Sequence, residues 1–238
     1  MAEGLDVRIL HKQFRSADGQ NLLAIDDIAF TAPPGSFTAL IGPSGCGKTT
    51  TLRILLGLDR DFQGHARLPA GRVAAVFQEP RLLPWRDVET NVRLALPPDL
   101  RDRDLAPLFE ALGLAEMRTR YPGELSLGLA RRVALARAFA IEPSLLLLDE
   151  PFVSLDELTA AKLRALLLAV WSARPTTAVM VTHNLREAVD LADRLVLLTP
   201  RPARIRGVYD LPTPRAERTA EWRMRVVAEV DGLFPGVL

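Results

Sequence analysis

Scarcity sets the first limits on this chain of 238 residues. It has one cysteine, Cys46, so neither a disulfide framework nor a cysteine zinc module can hold it together. An excess of one charge is lacking too, since 30 basic residues face 29 acidic ones. Dedicated nucleic-acid binders carry a basic surplus, so no nucleic-acid partner is expected. Apolar runs are short. Stretches such as Leu145 to Leu148 and Leu166 to Val170 fall well below the ~18–20 residues of a membrane-spanning helix. The opening Met1-Ala2-Glu3-Gly4-Leu5-Asp6 lacks the basic-then-apolar pattern of a signal peptide, so a cytosolic globular protein is expected. Lysine is rare as well: only Lys12, Lys48 and Lys162 occur, so a lysine in a motif carries more information than usual.

What the chain does have is a core. Hydrophobic residues make up 48% and charged residues 25%, the balance of a folded domain rather than a disordered one. Short apolar runs read as strands at Val7 to Leu10, Ile28 to Thr31, Phe37 to Ile41 and Val73 to Phe77. Helical periodicity follows Gly47. From about Pro80 to Glu142 the pattern is helical and broken by prolines, without a β-rich run. Strands return at Leu145 to Leu148, Ala178 to Val181 and Arg194 to Leu198, with helices over Glu157 to Trp171 and Asn184 to Asp193. Continuous apolar strands alternating with helices predict an α/β fold with a mostly parallel sheet covered on both faces.

The most informative stretch is Gly42-Pro43-Ser44-Gly45-Cys46-Gly47-Lys48-Thr49, which matches the phosphate-binding pattern G-x-x-x-x-G-K-[ST]. It lies directly after an apolar strand and before a helix, where such a loop must lie. Its glycines let successive N–H groups turn inward toward phosphate oxygens, and the helix adds its positive N-terminal end. Lys48 then reaches the β/γ-phosphates, the Thr49 hydroxyl ligates Mg²⁺, and Thr50 extends the donor set toward the α-phosphate. The alternative reading, a glycine-rich turn capping a helix, leaves the lysine and hydroxyl spacing unexplained.

Hydrolysis needs more than a cradle. Leu145-Leu146-Leu147-Leu148-Asp149-Glu150 is a strand, buried on both faces, that ends in two acids pointing to opposite sides. Asp149 suits a Mg²⁺ anchor, and Glu150 suits the general base that polarises attacking water. A lone Asp-Glu pair is more often a cap; here it follows four leucines downstream of a phosphate loop.

With both sites placed, the chain resembles the ATP-binding-cassette ATPases from about Val7 to Leu198. The resemblance implies ATP and Mg²⁺ as cofactors and gives further residues their roles. Gln78 matches the glutamine that touches metal and water and links to the helical lobe. Leu125-Ser126-Leu127-Gly128-Leu129 stands in the signature position, where Ser126 and Gly128 face the γ-phosphate bound by a second subunit. Ser154-Leu155-Asp156 matches the D-loop, His183 the switch histidine, and Phe14 the aromatic that stacks on adenine. Leu127 and Leu129 depart from the family pattern L-S-G-G-Q. Leu127 is costly only if its backbone needs a positive φ, about 1–2 kcal/mol; a helix from about Leu129 to Ala140 is expected, with Ser126 as N-cap.

The expected organisation is a single cassette over residues 1–238. Residues 1–79 and 143–210 form the nucleotide-binding core, 80–142 a helical subdomain with the signature, and 211–238 a tail of a loop and one helix. One cassette, one cysteine and no room for a long coiled coil favour a subunit that works with separate membrane proteins. Gln78-Glu79-Pro80-Arg81-Leu82-Leu83-Pro84-Trp85-Arg86, with Asn91-Val92, resembles the nitrate, sulfonate, taurine and bicarbonate importer group. That likeness implies transmembrane permease subunits, a second ATPase subunit, and a substrate-binding protein reached through the permease. It places the chain peripherally on the cytoplasmic face of the cell membrane, with Leu82, Leu83 and Trp85 as an apolar docking ledge. Two rivals remain: a small-molecule phosphotransferase using Arg131, Arg132 and Arg137 as a lid, and a regulatory cassette with weak ATPase activity.

Overall fold

The computed structural model describes residues 4–15 and 19–235; Met1–Glu3 of the signal-peptide reading and Gly236–Leu238 of the tail lie outside them. In chain order the elements begin with β1 (Leu5–Arg15), β2 (Asn21–Ala32), β3 (Phe37–Ile41), α1 (Lys48–Leu55), β4 (Gln63–Arg67) and β5 (Val73–Val76). Next come α2 (Val88–Arg93), α3 (Ala106–Ala111), α4 (Leu127–Ala140), β6 (Leu145–Asp149) and α5 (Glu157–Ala173). The chain continues through β7 (Thr177–Thr182), α6 (Leu185–Leu191), β8 (Arg194–Leu198), β9 (Ile205–Asp210) and α7 (Ala220–Leu233). These elements divide into two compact units, Met1–Ala70 with Thr177–Leu238, and Gly71–Thr176.

The first unit holds an α/β sheet and a small antiparallel sheet. Strand β3 lies between β7 and β8, parallel to both, and β9 closes the edge antiparallel to β8. Every residue of β3 and β7 is buried, as expected of strands covered on both faces. The separate sheet has the order β2-β1-β4. In β1 the buried residues Leu5, Val7 and Ile9 alternate with Asp6, Arg8 and Leu10, so one face packs and the other meets solvent. Where the β1–β4 register slips between Ile9 and His11, Gly64 takes a φ of +127°, and a Cβ there would stand 1.9 Å from the Arg8 carbonyl oxygen. Only glycine fits that bulge.

Strands β1 and β2 run longer than the apolar cores that marked them. Strands β4 and β9 were not expected. Both lie at sheet edges, with Gln63-Gly64-His65-Ala66-Arg67 lacking any apolar run and β9 alternating half-buried and exposed residues. Edge strands need ladder hydrogen bonds more than hydrophobic side chains, so their sequences are faint.

The second unit pairs β5 with β6 in parallel, Val73 opposite Leu145 through Val76 opposite Leu148. Every described secondary-structure element between Pro80 and Glu142 is helical. Its helices α2, α4 and α5 start on side-chain acceptors: Asp87 accepts from Thr90 N, Ser126 from Leu129 N and Asp156 from Thr159 N. Each such cap satisfies a helix-end N–H and stabilises its helix by about 1 kcal/mol. Among the described residues no helix is long and apolar enough to cross a membrane.

Candidate nucleotide site

Strand β3 is wholly buried and hands over to the loop at Gly42. A Cβ on Gly42 would lie 2.9 Å from Cys46 Sγ and 3.1 Å from Leu198 Cβ, so the loop can pass this point only as glycine. Gly45 and Gly47 take φ of +75° and +115°, the left-handed region in which other side chains are strained. These turns fold the loop so that the Cys46 N–H donates to the Pro43 carbonyl. Gly47 is the N-cap of α1; it offers no side-chain acceptor, and the first turn has no acid. Lys48 stands there instead, 4% exposed, donating to the carbonyls of Gly42 at 2.7 Å and Pro43 at 3.0 Å. An acid-free helix start and a buried ammonium group concentrate positive potential on one loop, which suits a phosphate chain. Thr49 is exposed and Thr50 half-buried beside it.

In the same unit, Thr182 of β7 is the register partner of Ile41 of β3. His183 therefore leaves the carboxyl end of the strand adjacent to the one that feeds the loop, the edge where open parallel sheets place ligands. Its ring is exposed, while its neighbours are fixed. Thr182 Oγ1 donates to Glu187 at 3.0 Å and accepts from Asn184 N at 3.0 Å, and Asn184 caps α6. Phe14 is 38% exposed at the end of β1. Buried Lys12, paired with Asp59 at 2.8 Å, sits 4.7 Å from the ring centroid. Phe14 shares an open cleft of about 370 Å³ with Phe62, His11, Asn21 and Asp61.

The second unit carries the other predicted residues. Val76 and Leu148 are register partners, so Gln78, two residues past β5, and Asp149, the last residue of β6, both lie at the carboxyl ends of adjacent parallel strands. Gln78 is exposed; Asp149 and Glu150 are half-buried. Glu150 has φ +45° and Ser154 φ +63°, backbone strain of the sort that accompanies functional turns. Buried Arg131 of α4 donates to the carbonyls of Pro151 and Val153 and so fixes the segment after Glu150. Arg137, one helical face along, donates to the carbonyls of Pro80 at 2.8 Å and Arg81 at 2.8 Å. Burial, with Arg81 nearby, pushes the Arg137 pKa down. Sequence reasoning missed this pair as positioning residues; their six-residue spacing gave no recognisable signal. Turned inward onto carbonyls, Arg131 and Arg137 are spoken for, which removes them from the lid that the phosphotransferase reading required.

The signature segment also differs from expectation. Helix α4 begins at Leu127 rather than Leu129, with Ser126 as N-cap, so Leu127 has helical backbone and the feared φ strain does not arise. Leu127 is 42% exposed. Gly128 is buried, and a Cβ on it would lie 2.8 Å from Thr159 Cγ2 of α5. Asp156, exposed before α5, has its pKa lowered by hydrogen bonds from the Thr159 side chain and backbone. Trp85 is 68% exposed. Its loop is held from within by buried Asn91, which accepts from Leu83 N at 2.7 Å and donates to the carbonyls of Leu83, Arg86 and Asp87.

Comparison with known proteins gives the chain a family. Residues 25–153 match the family described as ABC transporter. A protein of Granulibacter bethesdensis named aliphatic sulfonates import ATP-binding protein SsuB is 46% identical over 209 residues, covering 87% of this chain and 84% of that one. Its namesake SsuB 2 of Burkholderia lata is 43% identical over 84% of this chain and 75% of its own. The Bacillus licheniformis SsuB is 37% identical over 95% and 94%. Among solved structures, the dimeric post-hydrolysis state of the ATP-binding cassette MJ0796, bound to ADP and Pi, superposes with a TM-score of 0.74 at 24% identity. That match covers 88% of this chain and all of the other. A match over more than half of the sequence, and relatives this similar over most of their length, join the loop at Gly42 to a known lineage: the chain belongs to the ABC transporter family.

Proposed function

We propose that the chain is the ATP-binding and ATP-hydrolysing subunit of an importer of aliphatic sulfonates. The observation that carries the proposal is the loop after β3, where three glycines, an acid-free helix start and buried Lys48 prepare a triphosphate site. Gly42, Pro43, Ser44, Gly45, Cys46 and Gly47 supply the backbone cradle, Lys48 the charge, Thr49 and Thr50 the hydroxyls, and Phe14 an aromatic face for adenine. The solute class rests on the names of the relatives, with the loop around Trp85 as the part of the sequence that first pointed to that group.

The oxygen donors Thr49, Gln78 and Asp149 fit Mg²⁺, a hard cation that takes few protein ligands when phosphate oxygens complete its shell. When bound, the ion neutralises charge building up on the phosphates. Glu150 orients water and takes its proton, Gln78 and His183 position the reacting end, and Ser126 and Gly128 face the nucleotide of a second copy. We place nucleotide binding in residues 1–79 and 143–210, permease docking in 80–142 around Leu82, Leu83 and Trp85, and the remaining tail at 211–238. A periplasmic-side binding protein is engaged only through the permease, and the subunit sits on the cytoplasmic face of the membrane.

Substitution of Glu150 tests the hydrolytic assignment. Glu150→Gln keeps the shape and removes the base, so Mg-ATP affinity measured by calorimetry is retained while turnover falls about 10²- to 10⁴-fold. Hydrolysis at the parental rate removes Glu150 from that role.

A further inference from the structure

A groove in the second unit is unconnected with any residue assigned above. It lies among α3, the end of α4 and the last turns of α5, with a volume of about 350 Å³, inside the range of small-molecule sites. Its walls are apolar: Leu108, Ala111, Phe139, Ala169, Val170 and Ala173 contribute to them. Its rim is not. Arg103 and Arg174 both reach Glu142 there, Arg103 at 2.9 Å. Two guanidinium groups thus share one carboxylate, leaving a net positive charge beside an apolar trough. Arg174 is the accessible member, with 59% of its side chain exposed. Glu142 itself is held at φ +52° just beyond Ile141, the C-cap of α4, a position where a helix normally ends on glycine or asparagine. A glutamate that takes up that backbone strain points to a use for its side chain. Its two arginines hold its carboxyl below the usual range, Arg174 foremost.

We propose that this groove binds a small amphipathic monoanion, a short aliphatic chain carrying a sulfonate or carboxylate head. The chain lies along Leu108, Phe139 and Val170, and the head takes the guanidinium charge that Glu142 leaves over. Charge decides the class, since a neutral alkane gains nothing from the arginines and a cation is repelled by them. The groove also has leverage. Helices α4 and α5 both have their C-terminal ends on it, and both have their N-terminal ends at the Gly128–Thr159 contact. A ligand wedged at one end bears on the spacing at the other, so occupancy alters the rate of ATP hydrolysis. That second half rests on the proposed ATPase activity; the binding half does not.

Calorimetry on the nucleotide-free chain tests the binding, with 1-hexanesulfonate, hexanoate and hexylammonium as probes. Saturable binding of at least one anion, and none of the cation, is expected. Preference between sulfonate and hexanoate identifies the head. Ala173→Trp, which fills the groove from an exposed position, and Arg174→Ala, which removes the positive charge that Glu142 leaves over, each weaken binding about tenfold or more. Both sites are solvent-facing, and unchanged thermal unfolding confirms that each variant is folded. Equal binding of hexylammonium, unchanged affinity in Ala173→Trp, or no saturable heat from either anion overturns the site. With the anion saturating, the ATP hydrolysis rate changes in the parent and not in Ala173→Trp; an unchanged rate in the parent overturns the effector role.

Discussion

Gly128 separates two explanations that usually travel together. One gives it a place at a nucleotide; the other needs only its lack of a side chain against α5. The structure makes the second quantitative. A Cβ on Gly128 would lie 2.8 Å from Thr159 Cγ2, about 0.7 Å or more inside an ordinary carbon–carbon contact of ~3.5–4.0 Å. Thr159 cannot simply rotate away, because its hydroxyl and its N–H both bond to Asp156. Gly128→Ala therefore meets two opposed effects. Alanine gains about 0.8–1 kcal/mol in helix propensity, while overpacking costs about 1–3 kcal/mol, so the variant is destabilised or at best neutral. Thr159→Ser deletes the offending methyl and keeps the hydroxyl on Asp156. In that background Gly128→Ala loses the clash, retains the propensity gain and stabilises by roughly 0.5–1 kcal/mol. Urea denaturation of the four proteins gives the coupling, expected at about 1–3 kcal/mol. A coupling near zero refutes the packing account. ATP turnover then divides the roles: if the double variant recovers stability yet not hydrolysis, Gly128 acts at the nucleotide as well as against α5.

Three further outcomes follow from named contacts. Lys48→Ala removes the ammonium from the loop, and Mg-ATP affinity by calorimetry falls at least tenfold; unchanged affinity disconnects the loop from nucleotide. Asn91→Ala leaves the Leu83 amide and three carbonyls without their shared partner, lowering stability by about 2–3 kcal/mol and shifting the fluorescence of nearby Trp85; a loss under 0.5 kcal/mol counts against that buried network. Folding lowers the pKa of Glu89, chiefly through Arg118 and then Arg93, against desolvation that opposes it. A depressed carboxylate stabilises above its unfolded pKa and loses that contribution as pH falls through its folded value. The urea midpoint is thus level near neutrality and drops once pH passes below the ordinary glutamate value of 4.5; Glu89→Gln lowers the neutral plateau and flattens the acid slope, and an unaltered slope rules the pair out as a contributor.

How much of this was legible in the sequence depends on whether a residue's reason is local. Gly42 to Thr49 was readable because a phosphate loop needs its backbone freedom, its lysine and its helix start within eight consecutive positions. The buried strands β3, β6 and β7 were readable for the same reason, as continuous apolar runs. Gly128 was found by its place in a motif, but its packing reason lies 31 positions away, on α5 at Thr159. Arg131 and Arg137 were readable only as a possible lid, and only the folded chain turns them onto carbonyls at 151–153 and 80–81. Leu127 shows the converse. Against a family pattern it was a departure with a possible backbone cost; as the first residue of α4, it has an ordinary helical backbone, and the change is in what it presents, an exposed apolar side chain beside Ser126. The departure therefore bears on what meets that helix end and not on whether the helix forms. A leucine there still leaves the Ser126 cap and the α4 amides in place, so the altered signature by itself is no argument for a cassette that has lost hydrolysis.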